Sequence, residues 1–255
     1  MFDLDPSVIV RAMPALWNGL KFTLTLTLVA MSVGIVAGTV LALMRLSANR
    51  VLRGFALGYV TVMRSIPLVL VIFWFYFLMP LLLQMAFGTE RPVQIGPVVT
   101  AFVTFCMFEA AYYSEIIRGG IQSISGGQRQ AAAALGLRPA QSMFYVILPQ
   151  AMRRMTPLLL TQTIILFQDT SLVYVLSIAD FTGAASKFAQ RDGRLVELYL
   201  FVALVYLVIC YLSVGCWAYA GTFLRGYLDN PKGMRLFNRA MALLLALSAV
   251  YLLLP

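Results

Sequence analysis

The chain has 255 residues, 61% of them hydrophobic and only 11% charged, with a mean hydropathy of +0.87. A soluble domain carries about 25% charged residues, so this chain cannot hide its apolar surface in one aqueous core and reads as an integral membrane protein. It has no histidine, which excludes histidine-based metal, haem and catalytic sites, and its net charge of +9 reads as arginines marking the cytoplasmic side of a membrane rather than as a nucleic-acid surface.

The start, MFDLDPSVIV, lacks a basic leader region and a cleavage site, so no removable signal peptide is expected. A helix needs about 20 apolar residues to cross a bilayer. Phe22 to Met44 supplies 23 uncharged residues between Lys21 and Arg45. Its beginning, FTLTLTL, alternates like a strand, but a lone strand would leave backbone groups unsatisfied in lipid, so a helix is expected. Gly34 and Gly38 stand at the spacing that lets two helices approach closely. Arg45, Arg50 and Arg53 follow in a loop or short surface helix, and Arg64-Ser65-Ile66-Pro67 opens a second span over residues 65–87, with Pro80 expected to kink or end it. A third span, 98–117, becomes more polar in its second half, FEAAYYSEIIRGG. A fourth covers 155–179 and holds one charge, Asp169; a fifth covers 198–224. Cys106, Cys210 and Cys216 lie in hydrophobic runs without ligand spacing and read as small buried packing residues.

Thirteen of the nineteen basic residues fall in the segments after spans one, three and five. The positive-inside rule then places the N-terminus outside and the polar stretch Gln128–Gln150 in the cytoplasm. Five crossings do not divide into two equal inverted halves, and so few helices cannot enclose a path for a polar solute, so a second membrane subunit is expected, identical or related. Residues 1–224 read as one transmembrane domain, and 225–255 as a basic cytoplasmic segment followed by an apolar tail.

Within 126–150, Gly126-Gly127 frees the chain. Gln128 to Leu135 is a good helix former with a face of alanines, Gly136 suits a helix C-terminus, and Arg138-Pro139 permits a second helix, because proline fits a first helical turn. Pro149 ends that helix or starts the next. The expected product is two short helices joined at an elbow. Its physical pattern fits equally a docking element for a cytoplasmic partner and a surface connector.

Ala131-Ala132, Gly136 and Val146-Ile147-Leu148-Pro149 are similar to the alanine–glycine loop of permease subunits of ATP-binding-cassette (ABC) importers. RSIP at residues 64–67, AYYSEIIRGGIQSI at 111–124 and TSLVYVLSIAD at 170–180 resemble the polar amino-acid branch of that family, nearest to glutamate/aspartate importers, over roughly residues 15–220. The resemblance implies an all-α membrane protein with the type I importer permease fold of about five transmembrane helices, a periplasmic N-terminus and a cytoplasmic coupling-helix loop. It implies placement in a bacterial inner membrane, a cytoplasmic ATPase dimer, a second permease subunit and a periplasmic amino-acid-binding protein. The coupling residues it implies are Gln130, Ala131, Ala132, Gly136, Leu148 and Pro149. Gln130 departs from the family, which has glutamate there, so a charge contact from that position would be lost. The chain contains no Gly-rich phosphate loop, so it is expected to be non-catalytic and to bind no cofactor itself.

Ionisable groups inside a span are costly and usually face a partner or a wet cavity. Asp169, flanked by Gln168, Thr170 and Ser171, and Glu109 are therefore the candidate pathway acids; a carboxylate suits the ammonium group of an amino acid. Structural pairing of these acids is the competing reading. Glu115 stands one helical turn from Arg118 and is expected in an ion pair. No basic residue lies deep in a span, so anionic cargo would meet helix dipoles, Thr161, Gln162, Gln168 and Ser171, or an arginine of the second subunit. Alternatives are cargo such as glutamine or arginine, a stand-alone secondary carrier, which would not explain the elbow, and a membrane enzyme, for which no convergent catalytic set is present.

Overall fold

A backbone in lipid must satisfy its own hydrogen bonds, and every regular element among the described residues is helical. The computed structural model describes residues 5–91 and 93–229, so the basic segment and apolar tail from residue 230 onward lie outside the described residues. In chain order the helices are α1 (Ser7–Leu46), α2 (Arg50–Ser65), α3 (Leu68–Phe73), α4 (Met79–Phe87), α5 (Pro97–Gln122), α6 (Gly126–Ala134), α7 (Pro139–Ser142), α8 (Leu148–Asp169), α9 (Phe181–Asp192) and α10 (Leu195–Asp229). A wide π-helical turn joins α3 to α4 and another joins α7 to α8, while tight 3-10 turns follow α8 over Thr170–Leu176.

Among the described residues, four runs are long and apolar enough to cross a membrane: Ser7–Leu46, Leu68–Phe87, Pro139–Leu176 and Leu195–Tyr219. The expected crossing at 98–117 is helical as α5, which at 1.5 Å per residue is about 39 Å long. Its second half carries Glu109, Glu115 and Arg118, so composition alone does not mark it as a span.

α1 corrects the first boundary, because it begins at Ser7 rather than near residue 22. Arg11 and Lys21 end a hydrophobic run without ending a helix. Arg11 pairs with Asp5 at 3.5 Å, and the Lys21 ammonium lies 5.6 Å from the Trp17 ring. A single stripe of small and apolar residues, from Val8 through Leu16, Thr23, Ala30 and Gly38 to Ala42, is buried along the whole helix. The strand-like FTLTLTL lies inside it, so length overrides the local period. Pro80 does not end its span. It lies two residues past a π turn, as Pro149 does past the other, and in both places the wide turn interrupts the regular ladder where proline has no N–H to give.

Residues up to Ala203 form one compact unit. Its centre is α1 against α5. A Cβ on Gly34 would lie 3.0 Å from side-chain atoms of Glu109 and Tyr113, and one on Gly38 would lie 2.9 Å from the Ala110 carbonyl oxygen and the Ser114 nitrogen. Leu26 and Ala30 of α1 join Val71, Ile72, Phe105 and Leu166 in the apolar core. Further along α1, Gly19 touches the backbone carbonyl of Asp180, Thr23 Oγ1 accepts a 3.2 Å bond from the Phe181 N–H, and the buried Asp180 side chain caps α9 by accepting from the N–H groups of Thr182 and Gly183. Burial pushes the Asp180 carboxyl up to about 6, although the Gly183 and Thr182 N–H groups act to lower it. The second unit begins at Leu204 and, among the described residues, is the remainder of α10. Cys216 there is exposed rather than buried; where lipid is the solvent, a small apolar side chain needs no protein cover.

The close α1–α5 crossing gives a direct test. Gly38→Val is expected to destabilise the folded protein by roughly 1–3 kcal/mol, the usual cost of overpacking, whereas Gly58→Val, at a position with nothing within 4 Å, leaves stability near wild type. Thermal unfolding of the two variants in detergent checks this; equal transition temperatures would refute the crossing.

Candidate functional site

Two groups of side chains stand out, and the first is the elbow. α6 ends in a Schellman arrangement: the Gly136 N–H donates to the Ala133 carbonyl at 2.9 Å and the Leu137 N–H to the Ala132 carbonyl at 3.1 Å. This closure needs a left-handed residue just past the helix, and Gly136 supplies it with φ +76°. Pro139 then opens α7 in its first turn, and the Gln141 side chain accepts from the Arg138 N–H at 2.9 Å.

The second arm of the elbow corrects the expectation of two short helices. Only α6 is short; α7 runs through a π turn into α8, so Pro139–Leu176 is one helical run. The elbow is therefore rigidly continuous with a membrane-crossing helix. Its base is closed by the first and last residues of the polar stretch, since Gln150 Nε2 donates to Gln128 Oε1 at 3.1 Å, and by Arg154, which donates to the Ser123 carbonyl.

Gln130, Ala131, Gly136 and Pro149 are exposed, with Leu148 half-buried and Leu135 protruding at 82% exposure. Ala132 is 2% exposed, so it packs inside the elbow. A groove of about 370 Å3 runs along it, lined by Arg129, Ala133, Leu137, Pro139 and Met143 among others.

The second group lies where α5 meets α8. Glu109 is 1% exposed, and both its oxygens accept from Gln162 Nε2, at 3.2 and 3.1 Å. Gln162, expected as a free dipole for cargo, is thus committed to Glu109, and Thr161 bonds back to the Pro157 carbonyl of its own helix. Asp169 is the last residue of α8, where the helix tightens into 3-10 turns; it is half-buried and makes no hydrogen bond to another described residue. Gln162, which holds Glu109, stands two helical turns before Asp169 on α8. Thr170 is buried and donates to the Phe167 carbonyl at 2.6 Å, Ser171 is half-buried, and Gln168 is exposed.

One turn past Tyr112, Glu115 pairs with Arg118 as the spacing predicts. Sequence reasoning missed the rest of this cluster: Arg45, at the end of α1, binds the other Glu115 oxygen, and Arg64 lies 3.8 Å away. The RSIP motif was the signal for Arg64, but nothing in the spacing shows which acid it meets.

A helical chain with several runs fit to cross a membrane, one acid buried and another half-buried along α5 and α8, and a capped elbow at the end of one run has the character of a polytopic membrane transport subunit. The chain belongs to the family of inner membrane components of binding-protein-dependent transport systems, whose family model matches residues 34–220. It is therefore a multi-pass inner-membrane transport component of the ABC importer class. It is 56% identical over 209 residues to the glutamate/aspartate import permease protein GltK of Escherichia coli O6:H1, covering 82% of this chain and 93% of that protein. To the glutamine transport system permease protein GlnP of Escherichia coli K12 it is 37% identical over 207 residues, 81% and 91% of the two chains. Among solved structures, an amino acid ABC transporter crystallised with histidines superposes with a TM-score of 0.77 at 30% identity, over 86% of this chain and 98% of that one. The MetNI methionine transporter shares the fold, with a TM-score of 0.65 at 22% identity over 81% and 94%.

Proposed function

We propose that this chain is the permease subunit of an importer for glutamate and aspartate. Its similarity to a glutamate/aspartate permease across four fifths of its length carries the reading. In this reading a periplasmic binding protein delivers the amino acid, and this chain forms the translocation path together with a second permease subunit. A cytoplasmic ATPase dimer, which hydrolyses the ATP, seats against the elbow through Gln130, Ala131, Gly136, Leu148 and Pro149, while Ala132 holds the elbow's shape. The chain itself needs no cofactor and no metal.

Asp169 takes the α-ammonium group. Its carboxylate has no hydrogen-bond partner among the described residues, lies at a break in helix type, and is flanked by Gln168, Thr170 and Ser171, which can complete a polar lining. In secondary transporters, polar solutes bind where membrane helices are interrupted, and the same backbone physics applies at this break. Glu109, already held by Gln162, stands behind it and sets the local field.

Competition uptake tests the cargo. Proteoliposomes holding the assembled complex are expected to take up labelled glutamate, with excess aspartate suppressing uptake at least tenfold more effectively than glutamine or arginine. If glutamine or arginine competes and aspartate does not, the acidic assignment is wrong, and a permease for another polar amino acid is the better reading; similarity to a glutamine permease supports that second reading.

A further inference from the structure

Acidic cargo carries two carboxylates, and the reading above supplies a partner only for its ammonium group. The cation cluster at Glu115 contains a candidate. Arg118 binds Glu115 Oε1 and Arg45 binds Oε2, so both oxygens are engaged. Arg64 lies 3.8 Å from Oε2 and makes no hydrogen bond to another described residue. Three guanidinium groups around one carboxylate leave a surplus of positive charge, and Arg64 is the member whose side chain makes no hydrogen bond among the described residues and is the most exposed.

The position of Arg64 is unusual in two further respects. It stands in the last turn of α2, one residue before Ser65 ends the helix and the extended residues Ile66 and Pro67 break the path into the second span. Its guanidinium carbon lies 5.3 Å from the centre of the Tyr112 ring, and the side chain is 41% exposed. A guanidinium held over an aromatic face keeps its N–H edge available for a carboxylate, which it binds through two parallel bonds. Tyr112 also packs on the same apolar cluster as Leu166 and Leu172, which stand either side of Asp169 along the chain. One tyrosine therefore touches the cation and packs on the segment that carries an anion, Asp169, whose side chain has no hydrogen-bond partner among the described residues.

We infer that Arg64 binds a carboxylate of the transported amino acid, so that Arg64 and Asp169 form the two poles of one amphoteric site about Tyr112. The inference rests on the amino-acid permease reading. It makes Arg64 a specificity-determining residue, and the carboxylate it holds is either the one every amino acid carries or the one on the acidic side chain.

The test uses the assembled complex in proteoliposomes with labelled glutamate and labelled glutamine. Arg64→Gln is expected to raise the KM for glutamate at least tenfold, while ATPase activity without cargo and assembly with the ATPase stay at wild-type levels. Arg64→Lys, which keeps the charge but not the two-pronged geometry, is expected to fall between them. If glutamine uptake is weakened as much as glutamate uptake, Arg64 holds the shared carboxylate; if only glutamate uptake is weakened, it holds the side-chain one. Uptake of both within twofold of wild type overturns the inference.

A measurement on the unmutated complex removes any dependence on the variants folding. Modification of arginines by phenylglyoxal, read by mass spectrometry of the peptides, is expected to slow at least threefold at Arg64 and not at Arg53 when glutamate is added. Equal rates at Arg64 with and without glutamate overturn the inference. If the unmutated complex moves neither amino acid, the permease reading itself has failed, a result distinct from the failure of Arg64.

Discussion

Gly136→Pro is expected to abolish ATP-driven uptake while the protein still inserts into the membrane at wild-type levels. Gly136 holds φ at +76°, and proline is locked near −65°, so the left-handed turn cannot form. The substitution also deletes the N–H that closes α6 on the Ala133 carbonyl. A helix end that loses its closure exposes carbonyls that the Schellman motif otherwise satisfies, and α6 then enters α7 at another angle. The apolar spans do not depend on this turn, so insertion survives. Because α7 continues into α8, the altered angle is felt at the start of a long apolar helix as well as at the proposed docking surface. Ala132→Glu tests the same elbow from inside: it places a charge where 2% of the residue is exposed, and burying an unpaired charge is among the most damaging single changes. The checks are uptake and co-purification of the ATPase; normal uptake in both variants would remove the elbow from the coupling mechanism.

Asp169→Ala is expected to lower uptake sharply without releasing the ATPase. A hydrogen bond to a charged group contributes about 1.5–3 kcal/mol, so the apparent affinity for cargo falls by roughly 10- to 100-fold. Asp169→Asn, which keeps the shape and removes the charge, is expected to lie closer to Ala than to wild type. A structural role would predict something else. The Asp169 side chain caps neither α8 nor the 3-10 turns that follow, so its removal leaves no orphaned backbone group, and the unfolding temperature is expected to stay unchanged. An unfolding temperature that drops while the KM stays constant would make Asp169 a packing residue.

Much of this architecture was legible from residue order. Long apolar runs marked four helical runs of membrane length, and Gly136 and Pro139 identified the elbow, because φ constraints on glycine and proline act locally. The Glu115–Arg118 pair was legible for the same reason, since one helical turn sets the distance. The start of α1 was not. Arg11 and Lys21 end an apolar run, but the helix continues past them because their long side chains lie on its exposed side, away from the stripe that packs on α5 and α9. The two π turns were also invisible, although the prolines that follow them, Pro80 and Pro149, marked where the regular ladder had to be interrupted.

The site divides along the same line. Composition and order alone determined that the chain lives in a membrane, where most of its long apolar helical runs lie, that the loop from Gln128 to Gln150 bends at Gly136, and that Asp169 and Glu109 are costly enough in a span to need a reason. These are properties of single segments, set by transfer free energy and backbone geometry. Only the tertiary structure decided that Gln162 is spent on Glu109, that Gln128 and Gln150 close the elbow, and that Arg45, Arg64 and Arg118 converge on Glu115. Those pairings join residues 22 to 70 positions apart, apart from the local Arg118 pair, and one of them, Arg45 with Glu115, follows from how small residues on α1 let α5 approach. No local rule of spacing encodes which side chains then face one another.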